Sequence, residues 1–294
     1  MSWLQIIADV PRAGVEILEQ RLEEAGAVAV TLQDCQDCPL LEPGAGQTPL
    51  WPEVTVTGLF PAGTCGEQLL AYVLAQTGSP RADRIQLTKL QDQDWQRAWL
   101  DRFQPMRFGK QLWIIPGDAE PPDPSAINLQ LDPGLAFGTG THPTTAMCLE
   151  WIDGHDISGR QVLDFGCGSG ILGIATALKG ASRVRAVDHD PQAIIACREN
   201  ARRNEVVELM EIIAADSFKP CAVDLVLANI LAKPLIELAE TLQNCLKPGG
   251  RLVLSGMLAG QQQSVQDAYQ GVIDWQPARQ SQDWICLSGT RIHD

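Results

Sequence analysis

The residues best suited to chemistry begin with an acid and three glycines spaced two apart, Asp164-x-Gly166-x-Gly168-x-Gly170. They end a short apolar run that predicts a strand, and glycine lets the backbone that follows turn sharply and approach a ligand closely. A nicotinamide dinucleotide fingerprint, G-x-G-x-x-G/A, would place Gly or Ala where Ile171 stands. An acid so near the loop disfavours a pyrophosphate and suits the cationic ammonium of a methionine moiety.

Polar residues also stand at the ends of the next three predicted strands, and each could bind a different part of a cofactor or its substrate. The second strand ends at Asp188, whose carboxylate can accept from both ribose hydroxyls, while Asp190 can cap the helix that follows. The third ends at Asp216, which can accept from an adenine amino group, and the fourth at Asn229. The amide carbonyl of Asn229 and the backbone carbonyl of Ile230 can accept from a substrate amine. Ligands of doubly wound sheets bind at the carboxyl ends of the strands, so the pattern predicts S-adenosylmethionine beside an amine.

A loop upstream of these strands, residues 131–145, contains three glycines and four threonines and almost no charge. We interpret it as a loop that folds over the cofactor, with Thr144 or Thr145 capping the next helix and facing the methionine end. Thr145 is accordingly predicted to bind the cofactor. His142 could act as a base, although a loop histidine is more often neither base nor ligand.

From about residue 159 the chain alternates strand and helix patterns. Repeated β-α units predict a doubly wound, Rossmann-like α/β sheet with helices on both faces, in a catalytic domain that spans residues 104–294. Two closing strands would add an antiparallel hairpin at one edge. Residues 103–116 and 126–131 alternate like a hairpin that leads into this domain. The predicted strands are 161–165, 183–187, 210–215, 224–228, 251–255, 273–280 and 284–291, and the predicted helices 171–179, 191–204, 234–245 and 262–269.

Residues 1–90 predict a separate, smaller α+β domain. Their order of elements, β-α-β-β-α-β, is that of a ferredoxin-like sandwich. This segment has no catalytic cluster, so we interpret it as a substrate-recognition domain, with a purely structural role as the alternative. Residues 91–103 are polar and predict a helical linker between the two domains.

Composition narrows the classes of partner. The net charge is −14, which disfavours free nucleic acid and favours a basic protein partner, although it could serve solubility alone. Nine scattered cysteines indicate reduced thiols, and the pair Cys35 and Cys38 has no second pair to complete a zinc site, so no metal is predicted. No 18-residue apolar window predicts a transmembrane helix. We expect a cytoplasmic monomer.

These motifs together resemble the PrmA family of bacterial ribosomal protein methyltransferases, which are class I S-adenosylmethionine-dependent enzymes. The resemblance is strong over residues 95–260. The glycine motif and the PGG turn occur across class I methyltransferases, whereas the threonine-rich loop combined with NILA is more specific. The segments that carry the resemblance read DPGLAFGTGTHPTT, VLDFGCGSGILGIA, AVDHDPQAI, ENARRN, NILAKPL and LKPGGRLVLSG.

The resemblance implies a substrate and a set of contacts. The substrate would be large-subunit ribosomal protein L11, free or ribosome-associated, gripped by the ferredoxin-like domain while the linker lets different amines be presented. Lysine ε-amines and the N-terminal α-amine would be methylated, up to the trimethyl state. The cofactor contacts of the family carry over onto Thr145, Gly166, Asp188 and Asn229.

Two other hypotheses remain open from the sequence. The first is a methyltransferase that acts on another protein, on an RNA base or on a glutamine amide nitrogen, because an asparagine at the fourth strand end also suits those substrates. The second is a nicotinamide-binding or cofactor-sensing protein that transfers no methyl group.

Overall fold

The structure, a computed structural model, divides into two compact units, one within residues 1–95 and the other within residues 96–294. The predicted linker, residues 91–103, and the part 132–141 of the threonine-rich loop lie outside the described residues, as does Cys38. The described residues are 3–35, 50–76, 85–90, 104–131 and 142–292.

The first unit is a four-stranded antiparallel sheet with two helices. Its elements are β1 (Trp3–Pro11), α1 (Val15–Glu24), β2 (Ala29–Asp34), β3 (Glu53–Pro61), α2 (Gly66–Gln76) and β4 (Ile85–Leu90). The strand order β2-β3-β1-β4 is that of the ferredoxin-like sandwich, so the predicted fold of this unit is confirmed.

One face of this small sheet forms the core of the first unit. Alternate residues of β1 and β3 are fully buried, as the period-two pattern of a half-buried strand requires. Leu18 and Leu22 of α1 lie four residues apart, hence on one helix face, and both are buried. The buried cluster consists of apolar side chains such as Phe60, which give this unit a packed core of its own.

The second unit begins with a three-stranded sheet and continues into an eight-stranded one. The small sheet comprises β5 (Met106–Phe108), β6 (Leu112–Pro116) and β7 (Ile127–Leu131). The strands of the large sheet are β8 (Gln161–Phe165), β9 (Arg183–Asp188), β10 (Met210–Ala214), β11 (Val223–Asn229), β12 (Leu246–Leu258), β13 (Ile273–Trp275), β14 (Arg279–Ser281) and β15 (Trp284–Arg291).

The large sheet runs in the order β10-β9-β8-β11-β12-β15-β13, and β14 also pairs with β15. Its first five strands are parallel, and β15 lies antiparallel between β12 and β13. The predicted parallel sheet with antiparallel closing strands is therefore confirmed. No helix among the described residues combines the length and the apolar character needed to cross a membrane.

Helices cover both faces of the large sheet. They are α3 (Pro143–Asp153), α4 (Ile171–Leu178), α5 (Pro191–Arg203), α6 (Ala232–Glu237), α7 (Ala239–Asn244) and α8 (Gln262–Ala268). Successive residues of a strand point to opposite faces, and Val162 and Leu163 of β8 accordingly belong to two different buried clusters. The first cluster includes residues of α3, α4 and α5, and the second residues of α6, α7 and α8.

Four predicted elements are corrected. The closing strand predicted at 273–280 is two short strands, β13 and β14, which each pair with β15. Strands β6 and β7 are parallel, and the antiparallel pair is β5 with β6, because alternation alone does not encode relative strand direction. The single helix predicted at 234–245 is two short helices that break at Leu238, whose ψ is 4°. The strand predicted at 251–255 extends over Leu246–Leu258 and includes the Pro-Gly-Gly turn, since its pairing shifts register there.

The pairing registers align the strand ends that the sequence singled out. Phe165 at the end of β8 lies opposite Val187 on one side and Ala228 on the other. Asp188 lies opposite Ala214, the last residue of β10. The glycine loop, Asp188 and Asn229 therefore meet along one edge of the sheet.

Candidate active site

Two adjoining cavities open at the carboxyl ends of the parallel strands. The larger, of about 400 Å³, has mostly apolar walls that include Phe165, Leu238 and Trp284. The smaller, of about 200 Å³, is lined by Asp164 and Gly168, among others. The two cavities share the residues Gly166, Asp188, His189, Asn229 and Ile230.

Asp188 anchors the glycine loop from the neighbouring strand. One carboxylate oxygen accepts from the Gly168 N–H at 2.8 Å, and the other accepts from the Asp190 N–H at 3.0 Å. A carboxylate offers about four acceptor positions, so two remain for a pair of hydroxyls. Asp190 caps α5 by accepting from the Gln192 N–H at 2.9 Å, as the sequence predicted.

Asp164 is a buried acid in the wall of the smaller cavity, only 1% exposed. Burial raises the pKa of this carboxyl to about 7, and the nearby charge of Asp188 acts in the same direction. A hydrogen bond from the Gly173 N–H, at 2.8 Å, opposes the shift. A buried carboxyl is costly to ionise without a positive charge beside it. The site around Asp164 therefore suits a cationic group of a ligand.

The three glycines of the loop fall into two classes. Gly166 and Gly168 line the smaller cavity, as a cofactor role requires. Gly170 instead precedes α4 and packs against α5, where an added Cβ would lie 2.6 Å from Sγ of Cys197. Helix packing therefore explains glycine at position 170 without a cofactor contact. The thiol of Cys167 is hydrogen-bonded to Cys197, and this contact together with burial raises its pKa well above the usual range.

Asp216 lies apart from both cavities. It is exposed in a single turn of 3-10 helix, Ala215–Ser217, and the cavity wall beside it is formed by Ala215. The structure thus does not bring the Asp216 side chain to the position that the sequence predicted. The strand β10 ends one residue earlier than predicted, and the chain then turns outward.

Asn229 lies at the junction of the two cavities, and its amide is oriented by Thr145. The Nδ2 of Asn229 donates to Oγ1 of Thr145 at 3.1 Å. This hydrogen bond fixes the orientation of the amide, and with it that of Oδ1, the acceptor atom of the Asn229 side chain. The threonine predicted to contact the cofactor is thus also the residue that orients the amide.

His142, and neither threonine, caps α3. Its Nδ1 accepts from the Thr144 N–H at 3.4 Å, while Thr144 and Thr145 are buried inside the first turn. Burial lowers the pKa of His142. Its ring also meets the edge of Trp284, with 4.7 Å between ring centroids, in the wall of the larger cavity.

Sequence reasoning missed several residues in that wall, among them Gly256 and Trp284. Trp284 reaches the site because β15 pairs antiparallel with β12, and a contact so distant along the chain leaves no local pattern. The Ser-Gly pair at 255–256 gave the only available signal of a bend. Within the described ranges, no three His, Cys, Asp or Glu side chains are placed to hold a metal ion, and the eight described cysteines are free thiols.

The fold and the site together define a class I S-adenosylmethionine-dependent methyltransferase. The glycine loop, the buried acid Asp164 and the carboxylate of Asp188 lie together at the carboxyl ends of the parallel strands, beside a cavity with mostly apolar walls. The model of one protein family, described as ribosomal protein L11 methyltransferase (PrmA), matches residues 2–292. The chain belongs to this family.

Individual relatives agree over their full lengths. The chain is 50% identical over 296 residues to the ribosomal protein L11 methyltransferase of Marinobacter nauticus, covering 99% of each chain. It is 49% identical over 296 residues to that of Pseudomonas aeruginosa, covering 100% of each. The crystal structure of a ribosomal protein L11 methylase from Lactobacillus delbrueckii subsp. bulgaricus superposes with a TM-score of 0.60 at 29% identity, over 65% of this chain and 100% of the other.

Proposed function

We propose that the protein transfers methyl groups from S-adenosylmethionine to the lysine ε-amines and the N-terminal α-amine of ribosomal protein L11. The observation that carries this proposal is the placement of Asn229 between the two cavities with its Nδ2 committed to Thr145. Its Oδ1 and the backbone carbonyl of Ile230 provide two acceptors for the N–H groups of an amine. Two acceptors at one point favour an amine over a hydroxyl substrate.

In the same proposal, different residues bind different parts of S-adenosylmethionine. Asp164 would face the ammonium group, the bare loop at Gly166 and Gly168 would lie along the methionine moiety, and Asp188 would hold the ribose. The apolar walls around Phe165 would enclose the adenine ring. Asp216 is not needed for this arrangement.

Bound S-adenosylmethionine supplies a methyl group already activated on a sulfonium, so the protein's task is mainly positioning. Asn229 Oδ1 and the Ile230 carbonyl accept the two N–H groups of the amine and leave its lone pair directed at the methyl carbon. The apolar walls exclude water from the approach. No strong base is required once the amine is neutral.

Neutralising the amine is the main energetic obstacle. A lysine of pKa about 10.4 costs roughly 4–5 kcal/mol to deprotonate at pH 7. Transfer into the apolar cavity lowers the amine pKa, and a neighbouring positive charge lowers it further. Neither Asn229 nor Ile230 carries a negative charge that would oppose this by holding the protonated form.

The wider setting follows from charge and domain organisation. We propose that the ferredoxin-like unit, within residues 1–90, recognises L11, and that residues 91–103 form a linker to the catalytic domain at 104–294. The net charge of −14 favours a basic protein and opposes direct readout of nucleic acid. The protein would act as a cytoplasmic monomer on free or ribosome-associated L11, consistent with its free thiols.

The direct test is incubation of the purified protein with L11 and methyl-labelled cofactor, followed by mass mapping of the modified peptides. We expect label on lysine side chains and on the N-terminal amine. L11 with acetylated amines is the matched control and should take up none. Parallel reactions with free L11, large ribosomal subunits and ribosomal RNA distinguish the substrates.

Each alternative has its own signature in that assay. Label in RNA or on glutamine side chains would replace the amine proposal with the corresponding methyltransferase. Thermal stabilisation by NAD and not by S-adenosylmethionine would point to a nicotinamide-binding protein. Absence of label in L11 would leave only the class of the enzyme standing.

The raised pKa of Asp164 predicts that cofactor affinity depends on pH. In the empty protein this carboxyl is half-protonated near pH 7, whereas a cationic ammonium beside it favours the carboxylate. Affinity should therefore rise with pH up to about 7 and level off above, weakening by up to about tenfold per pH unit below it. Calorimetry between pH 5.5 and 8.5 measures this dependence.

The variant Asp164→Asn should bind more weakly at pH 8 and show a flat profile below pH 7. Asp267→Asn, at an exposed position on α8, is the control and should keep the native profile. A native protein whose affinity does not change across this range would contradict an Asp164–ammonium contact.

A further inference from the structure

Ile230 is confined between two glycines that belong to different strand ends. An added Cβ on Gly166 would lie 2.3 Å from Cγ2 of Ile230. An added Cβ on Gly256 would lie 2.3 Å from the Ile230 carbonyl oxygen and 2.9 Å from its backbone nitrogen. The side chain of Ile230 thus packs against Gly166 of the glycine loop, and its backbone packs against Gly256 near the end of β12.

Gly256 is also the extra residue of a β-bulge. Ser255 of β12 pairs with Cys286 and Met257 pairs with Ile285, so Gly256 has no counterpart on β15. Its φ is +91°, a backbone conformation that residues other than glycine rarely adopt. Bulges re-aim neighbouring groups and recur beside active sites. Here the bulge turns a bare Cα toward the Ile230 peptide group, whose N–H donates to Ser255 O at 3.1 Å.

We propose that Gly256 is a positioning residue for methyl transfer, which acts by fixing the carbonyl of Ile230 that accepts from the substrate amine. The inference rests on the proposed function and adds a residue to it. Because Ile230 also touches Gly166, the two glycines together set the spacing between the loop that holds the methyl donor and the pair of acceptors that aims the amine.

A methyl group at position 256 must displace backbone, since the nearest atoms are the oxygen, carbon and nitrogen of Ile230. The shift would move the Ile230 carbonyl, and Asn229 with it, whereas neither Asp188 nor the Gly168 amide that it holds is among the nearest atoms to position 256. Misplacement of reacting groups by about 1 Å can lower a rate about 100-fold. The effect should therefore fall on turnover and not on cofactor affinity.

The test compares Gly256→Ala with two matched glycine variants. Gly271→Ala carries the same backbone strain, with φ +78° and no atom within 4 Å of the added Cβ. Gly260→Ala carries neither strain nor contact. For each variant, turnover on L11 amines, KM for L11, the dissociation constant of S-adenosylmethionine and the melting temperature are measured.

We expect Gly256→Ala to lower turnover about 100-fold, with cofactor affinity changed by less than about threefold. Gly271→Ala should lose stability only, and Gly260→Ala should match the native protein. If Gly256→Ala and Gly271→Ala retain equal turnover, the inference is overturned and the proposed function stands. If the native chain methylates no amine of L11, both are overturned.

A second pair of variants tests the other contact of Ile230, that of its side chain with Gly166, in case Gly256→Ala does not fold. Ile230→Val keeps a Cγ2 to rest on Gly166, whereas Ile230→Ala leaves a gap there. Turnover should fall at least about tenfold further in Ile230→Ala than in Ile230→Val, at comparable cofactor affinity. Equal turnover of the two variants would show that the spacing does not depend on this contact.

Discussion

Replacing Asn229 with alanine is expected to lower the turnover of amine methylation about 100-fold while weakening cofactor binding by no more than about fivefold. The amide lies at the junction of the two cavities and donates to Thr145. In the proposed function its Oδ1 is the side-chain acceptor that aims the amine lone pair. Its contribution to holding the cofactor is at most one hydrogen bond, worth about 1 kcal/mol. Turnover at saturating cofactor, with calorimetry of cofactor binding, measures the two effects separately.

The isosteric variant Asn229→Asp sharpens the prediction. A carboxylate at this position can still accept from the amine, but its negative charge raises the amine pKa and favours the protonated, unreactive form. Turnover of Asn229→Asp should therefore be low at pH 7 and recover more steeply with rising pH than that of the native protein. Native turnover in Asn229→Ala, or a pH profile of Asn229→Asp that matches the native one, would remove Asn229 from the reaction.

The Thr145 hydroxyl provides a related control on orientation. Thr145→Val removes the acceptor for Asn229 Nδ2 while keeping the shape of the side chain, and Thr145→Ser restores it. If the hydroxyl orients the amide, the valine variant should lose turnover and the serine variant should regain most of it. This comparison separates the orientation of Asn229 from the mere presence of an amide.

The parts of the fold that depend on local sequence patterns were predicted correctly. Strand–helix alternation after residue 159 and the β-α-β-β-α-β order before residue 90 each follow from hydrophobic periodicity and turn residues, and both are confirmed. The predicted direction of β7 relative to β6 was wrong, and the break of the helix at Leu238 was not predicted. Neither depends on periodicity, since a strand alternates alike in both directions and Leu238 fits an apolar helix face.

The site shows the same division between local and distant information. Asp164, Gly168, Asp188 and Asn229 lie in or just after the last residues of parallel strands. Their convergence was therefore predictable from the rule that such strand ends share one edge. Asp216 follows the third strand in the same way, yet it is exposed in a single 3-10 turn and lines neither of the two cavities.

Other features of the site depended on contacts that no local window contains. The role of Gly256 depends on a bulge opposite β15, and that of Gly170 on packing against a cysteine of α5. His142 caps α3 through its ring nitrogen, although threonine is the more usual capping residue at such a position.

Replacing Asp188 with alanine is expected to weaken S-adenosylmethionine binding about 100-fold. Two hydrogen bonds from ribose hydroxyls to a charged acceptor would be lost, worth together about 3 kcal/mol after exchange with water. The loss also releases the Gly168 N–H, which the same carboxylate holds at 2.8 Å, so the glycine loop loses its anchor. Calorimetry gives the dissociation constant. Asp188→Asn keeps one acceptor oxygen, so its dissociation constant should lie between those of the native protein and Asp188→Ala.

The control for this prediction lies two residues away. Asp190 is exposed, and its carboxylate likewise accepts from a backbone N–H, but its partner is the first turn of α5 and not the cofactor loop. Asp190→Ala should therefore cost about 1 kcal/mol of stability and leave cofactor affinity unchanged. Equal effects of the two variants on affinity would mean that the negative charge of this turn, and not the acceptor geometry of Asp188, holds the cofactor. An unaltered dissociation constant in Asp188→Ala would place the ribose elsewhere, because the proposed ribose contact depends on this carboxylate.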